Sequence, residues 1–170
     1  MTVGLEPLGP EHLAAVEDLL RDPDVLRFTR VPEPPPPDFA ETWLRLYEQG
    51  RRDGIREGFA LVGDDGDFLG LALVPRIERE ARTAELGYVV APSARGRGVA
   101  TTALRLLTEW AFAELGALRL ELQIAVANGA SKRVAERNGY RLEGVLRSLH
   151  IKQGVREDTE LWSRLPSDPA

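Results

Sequence analysis

Ala84-Glu85-Leu86-Gly87-Tyr88-Val89-Val90, then Arg95-Gly96-Arg97-Gly98-Val99-Ala100, then the run from Thr101 to about Leu115 decide how this chain folds. The first segment alternates as a strand does. The last places Leu104, Leu107, Ala111 and Leu115 at helical steps of three and four. Between them lies a glycine-rich turn flanked by arginines. A turn that carries a strand into the start of a helix suits phosphate, because the first N–H groups of a helix have no internal acceptor and its dipole favours negative charge there. Gly96 and Gly98 accept backbone angles that a Cβ resists and let the main chain come close to a ligand.

Upstream, Val3 to Leu8 reads as a short strand. Gly9-Pro10-Glu11 opens a helix that carries Leu13, Val16, Leu19 and Leu20 on one stripe, and Asp22-Pro23-Asp24 breaks it. The proline-rich run from Val31 to Pro37 is extended, either a spacer or a stiff wall of a cleft. Asp38 caps a second helix with Phe39, Trp43, Leu46 and Tyr47 on one side, and Gly50 to Gly58 is a polar break. Phe59 to Val62 and Phe68 to Ile77 flank a Gly63-to-Asp67 turn, and with the Glu85 strand they make an antiparallel meander.

Downstream, Leu118 to Ile124 alternates and follows a crossover helix, so it should lie parallel to the Glu85 strand. Asn128 caps a further helix, which Asn138-Gly139 closes. Tyr140 to about Ile151 and Val155 to Leu165 form a last hairpin around Lys152-Gln153-Gly154. The expected product is one α/β domain over residues 1–170 with a mixed sheet, its tail from Pro166 to Ala170 frayed.

Composition narrows the options. The chain has 170 residues and no cysteine, which removes disulfides, thiol nucleophiles and thiolate metal sites. Its two histidines, His12 and His150, argue against a histidine metal centre, so no metal is expected. A net charge of −5 with interspersed signs speaks against a nucleic-acid partner; it fits ordinary solubility and, more weakly, a cationic amine partner. No apolar run reaches membrane-span length and no signal peptide is apparent, so a cytoplasmic protein without a membrane partner is expected.

Three ligand classes use such a turn. A nucleoside-triphosphate loop needs Gly-x-x-x-x-Gly-Lys, and the turn holds no lysine. A dinucleotide loop needs a third glycine, where Thr101 stands; Glu121 lies at a suitable distance, but the turn falls past the middle of the chain and the strands before it read as hairpins. The pattern Arg/Gln-x-x-Gly-x-Gly/Ala fits at every fixed position. It resembles the acetyl-coenzyme A turn of the GNAT N-acetyltransferase superfamily.

The element order resembles the whole GNAT fold. Asn128, Ser131, Val134, Glu136, Gly139 and Tyr140 resemble the Asn-x-x-Ser-x-x-Val-x-Glu-x-x-Gly-Phe segment of the branch that acetylates ribosomal-protein N-termini. Glu143-Gly144, Arg147 and Asp158 extend that likeness. Two positions depart from it. Thr102 stands where many relatives carry glutamate, and Ala135 where many superfamily members carry the tyrosine that protonates the leaving thiolate.

The resemblance implies a mostly antiparallel sheet with one splayed parallel pair, about four flanking helices, and acetyl-CoA as donor. The acceptor would be a primary amine, a protein N-terminus or a small molecule, attacking directly in a ternary complex; relatives often form homodimers. Arg95, Arg97, Gly98, Val99 and Ala100 would hold the diphosphate, though Arg97 reads equally as a solvated surface arginine. Amides near Val89 and Val90 would polarise the thioester, and Asn128 would bond the pantetheine arm. Arg133 or Lys132 would meet the 3′-phosphate or simply solvent. Glu85 would be the general base, or else a cross-strand partner of an arginine; Ser131 would be the thiolate's acid. Trp43, Tyr47, Tyr88 and His150 would border the acceptor. A non-catalytic acyl-CoA sensor that kept the turn is the alternative.

Overall fold

In the computed structural model, which describes residues 2–169, the strands and helices run β1 (Gly4–Pro7), α1 (Leu13–Leu19), α2 (Pro23–Phe28), α3 (Phe39–Asp53), β2 (Glu57–Val62), β3 (Phe68–Glu78), β4 (Thr83–Val90), α4 (Val99–Ala113), β5 (Arg119–Ala125), α5 (Gly129–Arg137), β6 (Arg141–Lys152) and β7 (Val155–Arg164). Alternation along β2 and β3 divides their side chains between two cores. Phe59, Leu61, Ala72 and Val74 pack with α4 and α5 on one face. Ala60, Leu71 and Leu73 pack with α1, α2 and α3 on the other. Helices on both faces explain why these strands read as apolar runs.

One sheet carries all seven strands in the order β1-β2-β3-β4-β5-β7-β6. Every pairing is antiparallel except β4 with β5, which the crossover helix α4 makes parallel, as expected. That pair is short: Thr83, Ala84 and Glu85 match Arg119, Leu120 and Glu121, and the ladder stops there. β4 continues to Val90 and β5 to Ala125, so the two strands part beyond Glu85. Across β4, the β3 ladder slips between Leu73 and Arg76, where Val74 and Pro75 together face Leu86. Pro75 has no N–H to give the ladder, which favours a bulge there.

α4 buries Val99, Ala103, Leu104, Leu107 and Ala111 against the sheet. Truncating Leu104 or Leu107, both fully buried, to alanine would cost about 2–5 kcal/mol.

Three expectations need correcting. Five helices flank the sheet, because Asp22-Pro23 does more than break α1: Asp22 accepts the Val25 N–H at 3.0 Å and starts α2. The buried face of α3 is Ala40, Leu44, Tyr47 and Gly50, while Leu46 is exposed, and the helix runs through Gly50 to a left-handed Gly54. The tail folds back: Asp168 accepts the Leu165 N–H at 2.9 Å and pairs with Arg141 at 3.1 Å. Ala170, part of the expected fray, lies outside the described residues.

Candidate active site

The gap between the parted ends of β4 and β5 opens into a cleft of about 1220 Å³, which runs from the start of α4 to α2, α3 and the end of β6. It collects the candidate site residues read from sequence except Arg97, which is exposed, and Lys132, neither of which lines it.

At one end, Gly98 caps α4 with φ +79°, and Gly96 has φ +71°. A Cβ at either would meet no atom within 4 Å, so each glycine is there for its backbone angle and for open approach. Thr102 N–H makes the first bond of the helix, to Gly98 O at 3.1 Å. Among the described residues the amides of Val99, Ala100 and Thr101 have no acceptor outside the helix, as its first turn requires. Arg95 is engaged with protein carboxylates: it pairs with Asp22 at 2.5 Å and Asp24 at 3.2 Å, fastening the turn to α2. That bond holds the Asp22 carboxyl below its usual range.

In the middle, Ala91 N–H donates to Leu69 O at 2.9 Å. The two-residue alternation of an antiparallel ladder therefore turns the Gly87 and Val89 amides to β3, and those of Tyr88 and Val90 to the opened side. Val89 lines the cleft, but its amide serves the sheet. Across the gap, Asn128 Oδ1 caps α5 by accepting the Ser131 N–H at 3.1 Å. Ser131 Oγ lies 2.7 Å from the Tyr88 hydroxyl. Burial pushes Tyr88 up to about 12, the bond to Ser131 opposing, so it keeps its proton at neutral pH. Ala135 is fully buried. Lys132 pairs with Glu160 at 2.9 Å; Arg133 lines the cleft with no carboxylate partner among the described residues.

At the far end, Glu85 is buried and held by two guanidinium groups, Arg30 at 2.5 Å and Arg76 at 3.7 Å. Arg30 also donates to Gln123 Oε1 at 2.7 Å, and His150 Nε2 sits 3.2 Å from that same oxygen. With the Nε2 proton directed at Gln123, the Nδ1 lone pair becomes the ring's proton-accepting site. Burial, helped by the Arg30 charge, pulls His150 below 6.5, so the ring is neutral at pH 7. Phe39, Trp43 and Tyr47 stack one turn apart at 5.8 and 5.9 Å along the cleft side of α3. Lys152 Nζ donates to Thr29 O at 2.9 Å and Val31 O at 2.6 Å, which ties the proline-rich segment down as a wall of the cleft.

Sequence reasoning missed Arg30, Gln123, Lys152 and the role of Asp22. Only Asp22 had a local signal, an acid before a proline at a helix start.

A family model described as an acetyltransferase (GNAT) domain matches residues 2–141. The chain belongs to the GNAT acetyltransferases. Among its GNAT relatives, the ribosomal-protein-serine acetyltransferase of Escherichia coli (strain K12) is 33% identical over 113 residues, 66% of this chain and 62% of that protein. The spermidine N(1)-acetyltransferase of the same organism is 30% identical over 145 residues, 85% of this chain and 76% of that one. The chain spans under two thirds of the first of these, and likewise 64% of the protein YdaF of Bacillus subtilis (strain 168). The GNAT fold is shared with the spermidine N-acetyltransferase from Vibrio cholerae in complex with CoA and spermine: TM-score 0.87, 22% identity, covering 98% of this chain and 96% of that one.

Proposed function

We propose that this chain, as one domain over residues 1–170, is an acetyl-CoA-dependent N-acetyltransferase acting on a primary amine, a protein N-terminus or a small molecule, by direct attack. One observation carries this reading. A single continuous cleft joins the unbonded amides of α4, the parted strands, the Tyr88–Ser131 pair and a neutral His150.

The fit to a CoA thioester rests on the left-handed glycines and open space before α4, and on a gap that bares two backbone donors of β4. Bound acetyl-CoA would supply the activated acetyl group. The amides of Val99, Ala100 and Thr101 would hold its diphosphate, with Arg95 bracing the turn rather than reaching the ligand. The Val90 and Tyr88 amides, turned away from β3, would stabilise charge developing on a carbonyl oxygen.

We assign proton removal from the ammonium to His150. Glu85 already faces two guanidinium groups and serves better to hold Arg30 against Gln123 and His150. Ser131 is the proposed hydroxyl that meets the thiolate. Tyr88, protonated, would donate to Ser131 Oγ, 2.7 Å away, and leave the serine O–H free to donate.

Thiol release from acetyl-CoA across an amine panel tests the proposal, with no background from the protein because it has no cysteine. Release with an amine is expected. CoA binding without release from any amine would favour a non-catalytic sensor.

A further inference from the structure

The acceptor end differs in charge from what a polyamine needs. Its carboxylates already have cations: Glu85 has Arg30 and Arg76, Glu157 has Arg27 at 2.7 Å, and Glu33 has Lys152 at 4.0 Å. A polycation would have to displace these partners. Glu33 Oε2, buried and without a hydrogen-bond donor, is left to meet a single ammonium.

The unmatched charge at this end is a cation. Arg56 lines the cleft beside Tyr47, and no carboxylate among the described residues pairs with it. Its position is built. The Arg56 N–H donates to Gly50 O at 3.2 Å, and its stem lies on Gly50 so closely that a Cβ there would stand 2.5 Å from Arg56 Cβ. An α3 residue larger than glycine at that place would push the arginine off. A guanidinium fixed by its stem and left without a counter-ion matches a planar or tetrahedral oxyanion.

Resting on the acetyltransferase reading, we propose that the acceptor is a small primary amine bearing an anionic group, a carboxylate or a phosphate ester, which Arg56 binds while the amine faces His150. A polyamine and an uncharged amine both lack the group that Arg56 recognises.

The test compares L-phenylalanine, L-phenylalanine amide, 2-aminoethyl phosphate and spermidine as acceptors for the full chain. The anionic amines should exceed the amide and spermidine in kcat/KM by about tenfold or more, the scale of one charge-assisted bond. Arg56→Ala should raise KM for the anionic amines by that factor, with kcat and the amide unchanged, and Arg56→Lys should recover part of it. A preference between phenylalanine and 2-aminoethyl phosphate separates carboxylate from phosphate. Preference for spermidine or the amide, or an equal loss for all acceptors in Arg56→Ala, would overturn the inference. Absence of thiol release with every amine would instead overturn the acetyltransferase reading. Calorimetric titration of phenylalanine and its amide into the CoA-loaded protein still decides the inference then: tighter binding of the acid, lost in Arg56→Ala, supports it, and equal binding refutes it.

Discussion

The two ends of the cleft are built on opposite plans. At the start of α4 the groups offered to the cleft are backbone amides, set by two left-handed glycines, and Arg95, the arginine of that turn that lines the cleft, is tied to Asp22 and Asp24. At the far end the cleft is lined by side chains, and Glu85 of β4, Gln123 of β5 and His150 of β6 are joined through Arg30. A site made of backbone depends on local angles and survives many side-chain changes. A site made of side chains depends on a network, in which one removal leaves a charged partner exposed or unpaired.

Substitutions at each end should separate these plans. The largest effect is expected for His150→Asn, which should lower kcat about a hundredfold, the scale of a general base, and leave CoA affinity alone. Its pH signature follows from the lowered value. The folded ring takes up its proton at a lower pH than the unfolded ring, so stability from this group is complete above 6.5 and is lost as the pH falls from there through the folded value. The acid limb of kcat/KM should lie below 6.5 and vanish in the variant. An undiminished rate would move the base elsewhere, and Glu85→Gln run beside it would show where.

Gly98→Val comes next. The added Cβ meets no neighbour, so its cost is the +79° angle and the obstruction of a ligand. With about 1–2 kcal/mol of left-handed strain at the cap, CoA affinity by calorimetry should fall roughly tenfold while the fold persists. Unchanged affinity would mean that the α4 amides do not hold the ligand.

Tyr88→Phe should lower kcat about two- to tenfold, the worth of one neutral hydrogen bond, with KM for both substrates steady. A rise in KM without loss of kcat would make Tyr88 a binding residue instead.

The smallest effect lies outside the cleft. Arg119 and the Ser163 hydroxyl hold Glu143 at about 2, below its usual 4.5. The stabilisation is whole above 4.5 and is lost as the pH drops from there towards 2. Because this carboxylate is partly exposed, Glu143→Gln should lower the melting temperature slightly at pH 7 and not at pH 2, without touching kcat.

The same contrast explains what the sequence could reveal. The α4 turn was legible because its backbone geometry is written in consecutive residues, glycine by glycine. The parallel β4–β5 pair was legible because a helix between two strands permits little else. α2 was missed because Asp22-Pro23 ends one helix and begins another with the same two residues. Arg30 could not be seen: it lies 55 positions from Glu85 and 93 from Gln123, and no spacing rule links them. The proposal of His150 rather than Glu85 as the base has the same origin, since only the folded chain shows Glu85 paired with two guanidinium groups and His150 beside Gln123. Gly50 read as the start of a polar break, whereas α3 runs through it and its missing side chain makes room for Arg56.

A crystal structure of the chain with CoA bears on all of this at once. The diphosphate oxygens are expected within hydrogen-bonding distance of the Val99, Ala100 and Thr101 amides, with the sulfur between Val90 and Ser131. A diphosphate seated on any other part of the molecule would contradict the role given to the start of α4.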